Sequence, residues 1–152
     1  MFRRDFPAVI AVALTMASFS SVGLGDESIA QGKTDVWAGV YTKEQGERGH
    51  ALYLEKCAKC HTESLTGQPP APALRGTGFM LNWNGKSVRD LQSRIRSTMP
   101  ADQPGSLTRP ESFEVAAFLL SANGFPAGAS ELAGTPAQLS EILITDAPGR
   151  AH

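Results

Sequence analysis

The side chains with the most chemistry at the tightest spacing are in Cys57-Ala58-Lys59-Cys60-His61, which contains both cysteines of the chain. Two thiols three residues apart share one helical turn, so each can bond a vinyl group of a single porphyrin. A histidine directly after the second thiol then offers its imidazole to the iron. The pattern C-x-x-C-H reads as a site of covalent haem attachment. Other uses of the pair make demands that the rest of the chain does not meet. A redox dithiol of the thioredoxin kind would be set among alternating strands and helices, which the pattern of residues does not show. Zinc needs two more ligands at sensible spacing, and the remaining histidines are His50 and His152.

The opposite face of the iron needs a second ligand. A thioether there raises the reduction potential, and Met80 and Met99 are the methionines beyond the first 25 residues. Met99 stands before Pro100, where a helix must end and a side chain can be presented across the haem. Met80 lies among Phe79, Leu81 and Trp83, the setting of a flexible core filler. Met99 is therefore the expected ligand. His50 lies two turns before Cys57 on the same helix, and His152 is terminal. A vacant position would instead point to a haem enzyme or gas sensor, but no cluster of acids and bases accompanies it. Around these ligands, a carbonyl near Pro72 is a candidate acceptor for the Nδ1 proton of His61, a bond that metal-bound histidines usually make. Arg75 is a candidate partner for a haem propionate, with a solvated arginine as the alternative. Trp83 is a second candidate, because a buried indole N–H needs an acceptor.

These residues need helices to hold them. Thr42 and Gln45 form a capping box that opens a helix over 43–56. Gly49, Tyr53 and Cys57 recur every fourth residue on one of its faces. A glycine there implies a closely crossing partner, for which the small residues Ala116 and Ala117 are suited. Thr62 to Gly78 is rich in proline and glycine and cannot be one long helix. A second helix starts at Ser87, carries Val88, Leu91, Ile95 and Met99 as a stripe, and stops at Pro100. A third runs over 109–123 behind the box Thr108/Glu111, with Pro110 in its first turn and Gly124 after its end. A weaker helical piece covers 135–144, with Leu139, Ile142 and Leu143 packing on the body. The expected fold class is all-α, three to five helices wrapped around one covalent haem. That group supplies the centre of a core too small to bury much apolar surface alone.

Arg3 and Arg4 precede an apolar run, Phe6 to Phe19, and then small residues to Gly25. This is the layout of a secretory signal, with cleavage expected after Gly25 or, second, after Ala30. The run is shorter than the roughly 20 residues of a membrane span; an uncleaved anchor is the alternative. The arginine pair partly matches a twin-arginine signal. The general secretory route is preferred, because haem is joined to an unfolded polypeptide after export. The chain thus divides into a signal (1–25), an extended lead-in (26–40) in which Trp37 covers an apolar edge, a haem domain (41–128) and a partly helical C-terminal extension (129–152). A net charge of −1 leaves no nucleic-acid or polybasic membrane signal.

Taken together, Gly49-x-x-x-Tyr53-x-x-x-Cys57-x-x-Cys60-His61, the Pro72/Leu74 segment and Met99-Pro100 before a helix with Phe118 resemble the class I c-type cytochromes. The resemblance spans about residues 41 to 126. The runs Pro104-Gly105-Ser106-Leu107 and Asn123-Gly124-Phe125-Pro126-Ala127-Gly128 look closest to cytochromes associated with PQQ-dependent dehydrogenases. The resemblance implies a cytochrome c fold, a single haem c, His61/Met99 ligation and one-electron transfer. It also implies a monomeric periplasmic carrier between a dehydrogenase or quinol-oxidising complex and a terminal oxidase, or else a dedicated haem subunit of an oxidoreductase complex. Thr62 departs from the pattern, standing where many relatives have glycine.

Overall fold

The computed structural model describes residues 33–147. The expected secretory signal, the lead-in before Lys33 and the last five residues lie outside the described residues.

Among the described residues six α-helices carry the fold. Helix α1 spans Lys43–Lys56, opened by Thr42, whose hydroxyl accepts from the amide of Gln45 at 3.2 Å. A single turn, α2 (Ala58–His61), follows directly, so the two thiols and the imidazole share one short stretch. Helix α4 (Val88–Thr98) and helix α5 (Arg109–Ala122) each begin at a complete capping box, Ser87/Asp90 and Thr108/Glu111. In such a box two otherwise orphaned amides find acceptors. These bounds are those read from the sequence, to within a residue at the ends.

Helix α1 packs most extensively on α5, and Gly49 explains how closely. A Cβ at Gly49 would lie 1.8 Å from the carbonyl oxygen of Glu114 and 3.0 Å from Cβ of Phe118. The crossing therefore falls on Glu114 and Phe118, which are four residues apart on one face of α5. It does not fall on Ala116 and Ala117, although both are fully buried.

Helix α3 (Gly76–Trp83) forms where the sequence shows an apolar cluster behind two glycines. Weak propensity is overridden by packing: Phe79 is fully buried, and Met80 and Trp83 lean on the same core. Leu81 is on the outer side of this helix, 82% exposed.

The segment after Gly128 wraps the body. Gln45, buried on α1, bonds both backbone groups of Leu132, donating to its oxygen at 2.9 Å and accepting from its amide at 2.6 Å. A short helix, α6 (Pro136–Ser140), buries Leu139. Beyond it the chain is not helical, as the sequence reading had it to 144. Instead Ile142–Leu143 (β2) pair in parallel with Thr34–Asp35 (β1), register Thr34↔Ile142 and Asp35↔Leu143. Trp37 stands over the junction, its ring edge on Phe125 at 4.9 Å between centroids. Among the described residues no helix is long and apolar enough to cross a membrane.

Candidate haem-binding site

One cavity of about 550 Å³ opens between α2, the 68–74 loop, α3, α4 and the residues after Met99. Cys57, Cys60, His61 and Met99 all line it, contributed by two separate parts of the chain, the 57–61 motif and the end of α4. Its deep wall is apolar, formed by Leu91 and Ile95 of α4 and Val115 and Leu119 of α5. Apolar walls with a few polar groups converging on them describe a built ligand site, and the volume falls within the usual range of about 300–1,000 Å³.

His61 is buried, and its Nδ1 lies 2.9 Å from the carbonyl oxygen of Pro72. A carbonyl can only accept, so Nδ1 carries the proton and Nε2 is left with its lone pair available to a metal. The loop that offers this carbonyl is itself fixed. Gly67 donates to His61 O at 3.0 Å, and Leu74 donates to Leu65 O at 2.8 Å. Asn123, just past the end of α5, secures its far side. That side chain accepts from Gly76 N at 2.8 Å and donates to Leu74 O at 3.0 Å.

On the other side of the motif, the Tyr53 hydroxyl donates to Thr62 O at 2.6 Å, and burial pushes its pKa up to about 12. Thr62 has φ 63° and ψ 156°, a region that is occupied almost only by glycine. Its hydroxyl partly offsets this, accepting from Thr66 N at 3.2 Å.

The two cysteines are unbonded to each other. Burial pushes the Cys57 thiol up to about 11, whereas a redox dithiol needs its attacking thiol lowered. Among the described residues, no three His, Cys, Asp or Glu side chains are grouped to hold a metal ion. The arrangement therefore suits neither a thioredoxin-like dithiol nor a zinc site. It does fit a haem, with two thiols for covalent attachment, an oriented imidazole, a thioether on the same cavity and an apolar enclosure.

The remaining expected residues divide. Trp83 lines the cavity, with Lys86 Nζ 5.2 Å from its ring centroid. Arg75 is exposed at the start of α3 and is not on the cavity wall. The cations that line the cavity are Lys56, Lys59, Lys86 and Arg94. Lys86 and Arg94 were not singled out by the sequence; Arg94 lies one residue before Ile95 in the α4 stripe, a position that reads as solvated face. Met80 packs against the core, away from the cavity. His50 stacks on Phe118 at 4.7 Å between centroids.

A solved structure, the sulfane dehydrogenase SoxCD from Paracoccus pantotrophus, is similar at 20% identity. It covers 80% of this chain and 68% of that one, with a TM-score of 0.49. No curated protein matches the chain. A family model described as "Cytochrome C oxidase, cbb3-type, subunit III" matches residues 44–119. That stretch runs from the first turn of α1 to the last turn of α5 and takes in every cavity residue that those helices frame. With half of its length so matched, the chain belongs to this family of c-type cytochrome domains, whose haem transfers electrons.

Proposed function

We propose that the chain is an exported, monohaem electron carrier in which Cys57 and Cys60 hold the haem and His61 and Met99 ligate its iron. The observation that carries this reading is the His61 Nδ1 contact with Pro72 O at 2.9 Å, on a cavity that Met99 also lines. It leaves one imidazole nitrogen committed to the backbone and the other free for the metal. When bound, the haem supplies reversible one-electron chemistry between Fe(II) and Fe(III).

The chain's own residues would hold and insulate that group. The thiols would tether it, and the Pro72 carbonyl orients the imidazole. Leu91, Ile95, Val115 and Leu119 exclude water from one side. Lys86 and Arg94, with Trp83, are the wall residues suited to the propionates, and Arg75 would have to reach them from outside the cavity. In this reading the carrier works in the periplasm as a monomer, between a dehydrogenase (of the PQQ-dependent kind that the loop sequences suggest) and a terminal oxidase. Brief encounters suit such a task, since turnover needs fast dissociation.

A second reading, a dedicated haem subunit of an oxidoreductase complex, is favoured by the family description, which is that of an oxidase subunit. Size-exclusion of the native protein separates the two: a carrier elutes alone, a subunit elutes with its partner.

The ligand assignment is tested by the absorption spectrum of the haem-loaded protein and of Met99→Ala. The expected result is a sulfur–iron charge-transfer band in the ferric wild type, lost in the variant, with carbon monoxide binding gained on reduction. A wild type without the band that binds carbon monoxide readily would instead show an open iron site, as in a haem enzyme or gas sensor.

A further inference from the structure

We infer that residues 141–146 form a positioning strap for the Trp83–Lys86 wall of the haem cavity, with Ile144 as its anchor. The inference rests on the haem reading above. Trp83, the last residue of α3, and Lys86, in the connection between α3 and α4, both line the cavity. That connection has little to hold it in place: Asn84, Gly85 and Lys86 are all exposed. Its local backbone bonds are Asn84 N to Met80 O at 2.9 Å and Lys86 N to Trp83 O at 3.0 Å.

The strap supplies the rest. Gly85 N donates to Ile144 O at 2.8 Å, and Ile144 N donates to Lys86 O at 2.8 Å. An isolated bridge pairs Ser87 with Leu143, and Asn84 Nδ2 donates to Asp146 Oδ2 at 3.1 Å. The Ile144 side chain is fully buried, so the strap is pinned to the core where it grips the connection.

It is held from behind as well. Strand β1 pairs with β2, and Trp37 Nε1 donates to Thr145 O and Asp146 O, each at 3.1 Å, across 108 and 109 residues of chain. The two ends of the described chain thus meet at the connection that follows Trp83 and carries Lys86. The two end segments, 34–37 and 141–146, both lie outside 44–119, the family-matched stretch, so the strap is beyond that frame.

Holding this wall matters for the redox state. Ferric haem carries one more positive charge than ferrous haem. A nearby cation disfavours it and admitted water favours it. A loosened wall would move Lys86 away and let water in. Both changes stabilise the ferric form and lower the reduction potential.

The test is redox titration of the haem-loaded full chain carrying Ile144→Ala, beside Leu132→Ala. Leu132 is a control on the same segment, buried but bonded to α1 through Gln45 and not on the cavity wall. The expected result is a downward shift of the midpoint potential in Ile144→Ala. Leu132→Ala should lower the denaturation midpoint and leave the potential at the wild-type value. Trp37→Phe, which deletes the two bonds to the strap and keeps a ring beside Phe125, should give a smaller downward shift. An unchanged potential in Ile144→Ala, or an equal shift in Leu132→Ala, overturns the inference. If Ile144→Ala does not assemble, Trp37→Phe decides, and a wild-type potential there overturns it. A wild-type chain that takes up no haem would sink the haem reading first, and that result is seen before any variant is compared.

Discussion

His61 and Thr62 show what one residue's environment adds to its identity. The sequence alone pointed to haem at Cys57–His61, because few other chemistries need two thiols and an imidazole at that spacing. It also pointed to a carbonyl near Pro72, because a metal-bound histidine usually donates its other ring N–H to such an acceptor. The identity of the cations on the wall was not legible. Lys86 and Arg94 line the cavity only because α3 and α4 meet there, whereas Arg75 looked suitable from its nearness to Pro72 in the chain. Thr62 has the most direct consequence. At φ 63°, ψ 156° its backbone occupies a region costing about 1–3 kcal/mol for a residue other than glycine. Its exposed hydroxyl bonds return about 1 kcal/mol. Thr62→Gly is therefore expected to stabilise the protein by about 1 kcal/mol, seen as a higher denaturant midpoint at unchanged slope.

Helix ends were legible because capping boxes are local. Thr108 and Glu111 or Ser87 and Asp90 need only four residues of sequence to announce themselves, and α4 and α5 begin there. Helix α3 was missed because its two glycines argue against a helix, and only the burial of Phe79 overrides them. The pairing of β2 with β1 was missed because its partner is over a hundred residues away.

Two predictions belong to these elements. Bonds from the Thr108 amide and hydroxyl hold the Glu111 carboxyl below its ordinary value of 4.5. A lowered folded pKa gives stability that is present above the ordinary value and lost as pH falls through the folded one. Glu111→Gln keeps the capping geometry and removes this titration. Its melting temperature should thus decline less steeply than the wild type's below about pH 4.5. At the α1–α5 crossing, Gly49→Ala would gain about 1 kcal/mol of helix propensity. The obstructing atom is a backbone oxygen 1.8 Å away, which cannot rotate aside, so α5 must move. A net loss of roughly 2 kcal/mol is expected, read from denaturant unfolding of the haem-loaded protein.

At the scale of the whole molecule, the helices frame a cavity and the two ends of the described chain close over its α3–α4 side. The apolar residues available, chiefly Leu91, Ile95, Val115 and Leu119 on the deep wall, face a space that a flat apolar group would fill. This is why the sequence could foresee a fold organised around a cofactor yet not the strap, whose contacts join segments remote in the chain. The site requires that group to be covalently present at Cys57 and Cys60. The most direct measurement is the intact mass of the protein made in a host that attaches haem to exported polypeptides, read beside a Cys57→Ala/Cys60→Ala double variant. The wild type is expected to carry the added mass of one haem, retained under denaturing conditions, and the double variant none. A wild-type mass equal to that of the bare polypeptide would contradict it.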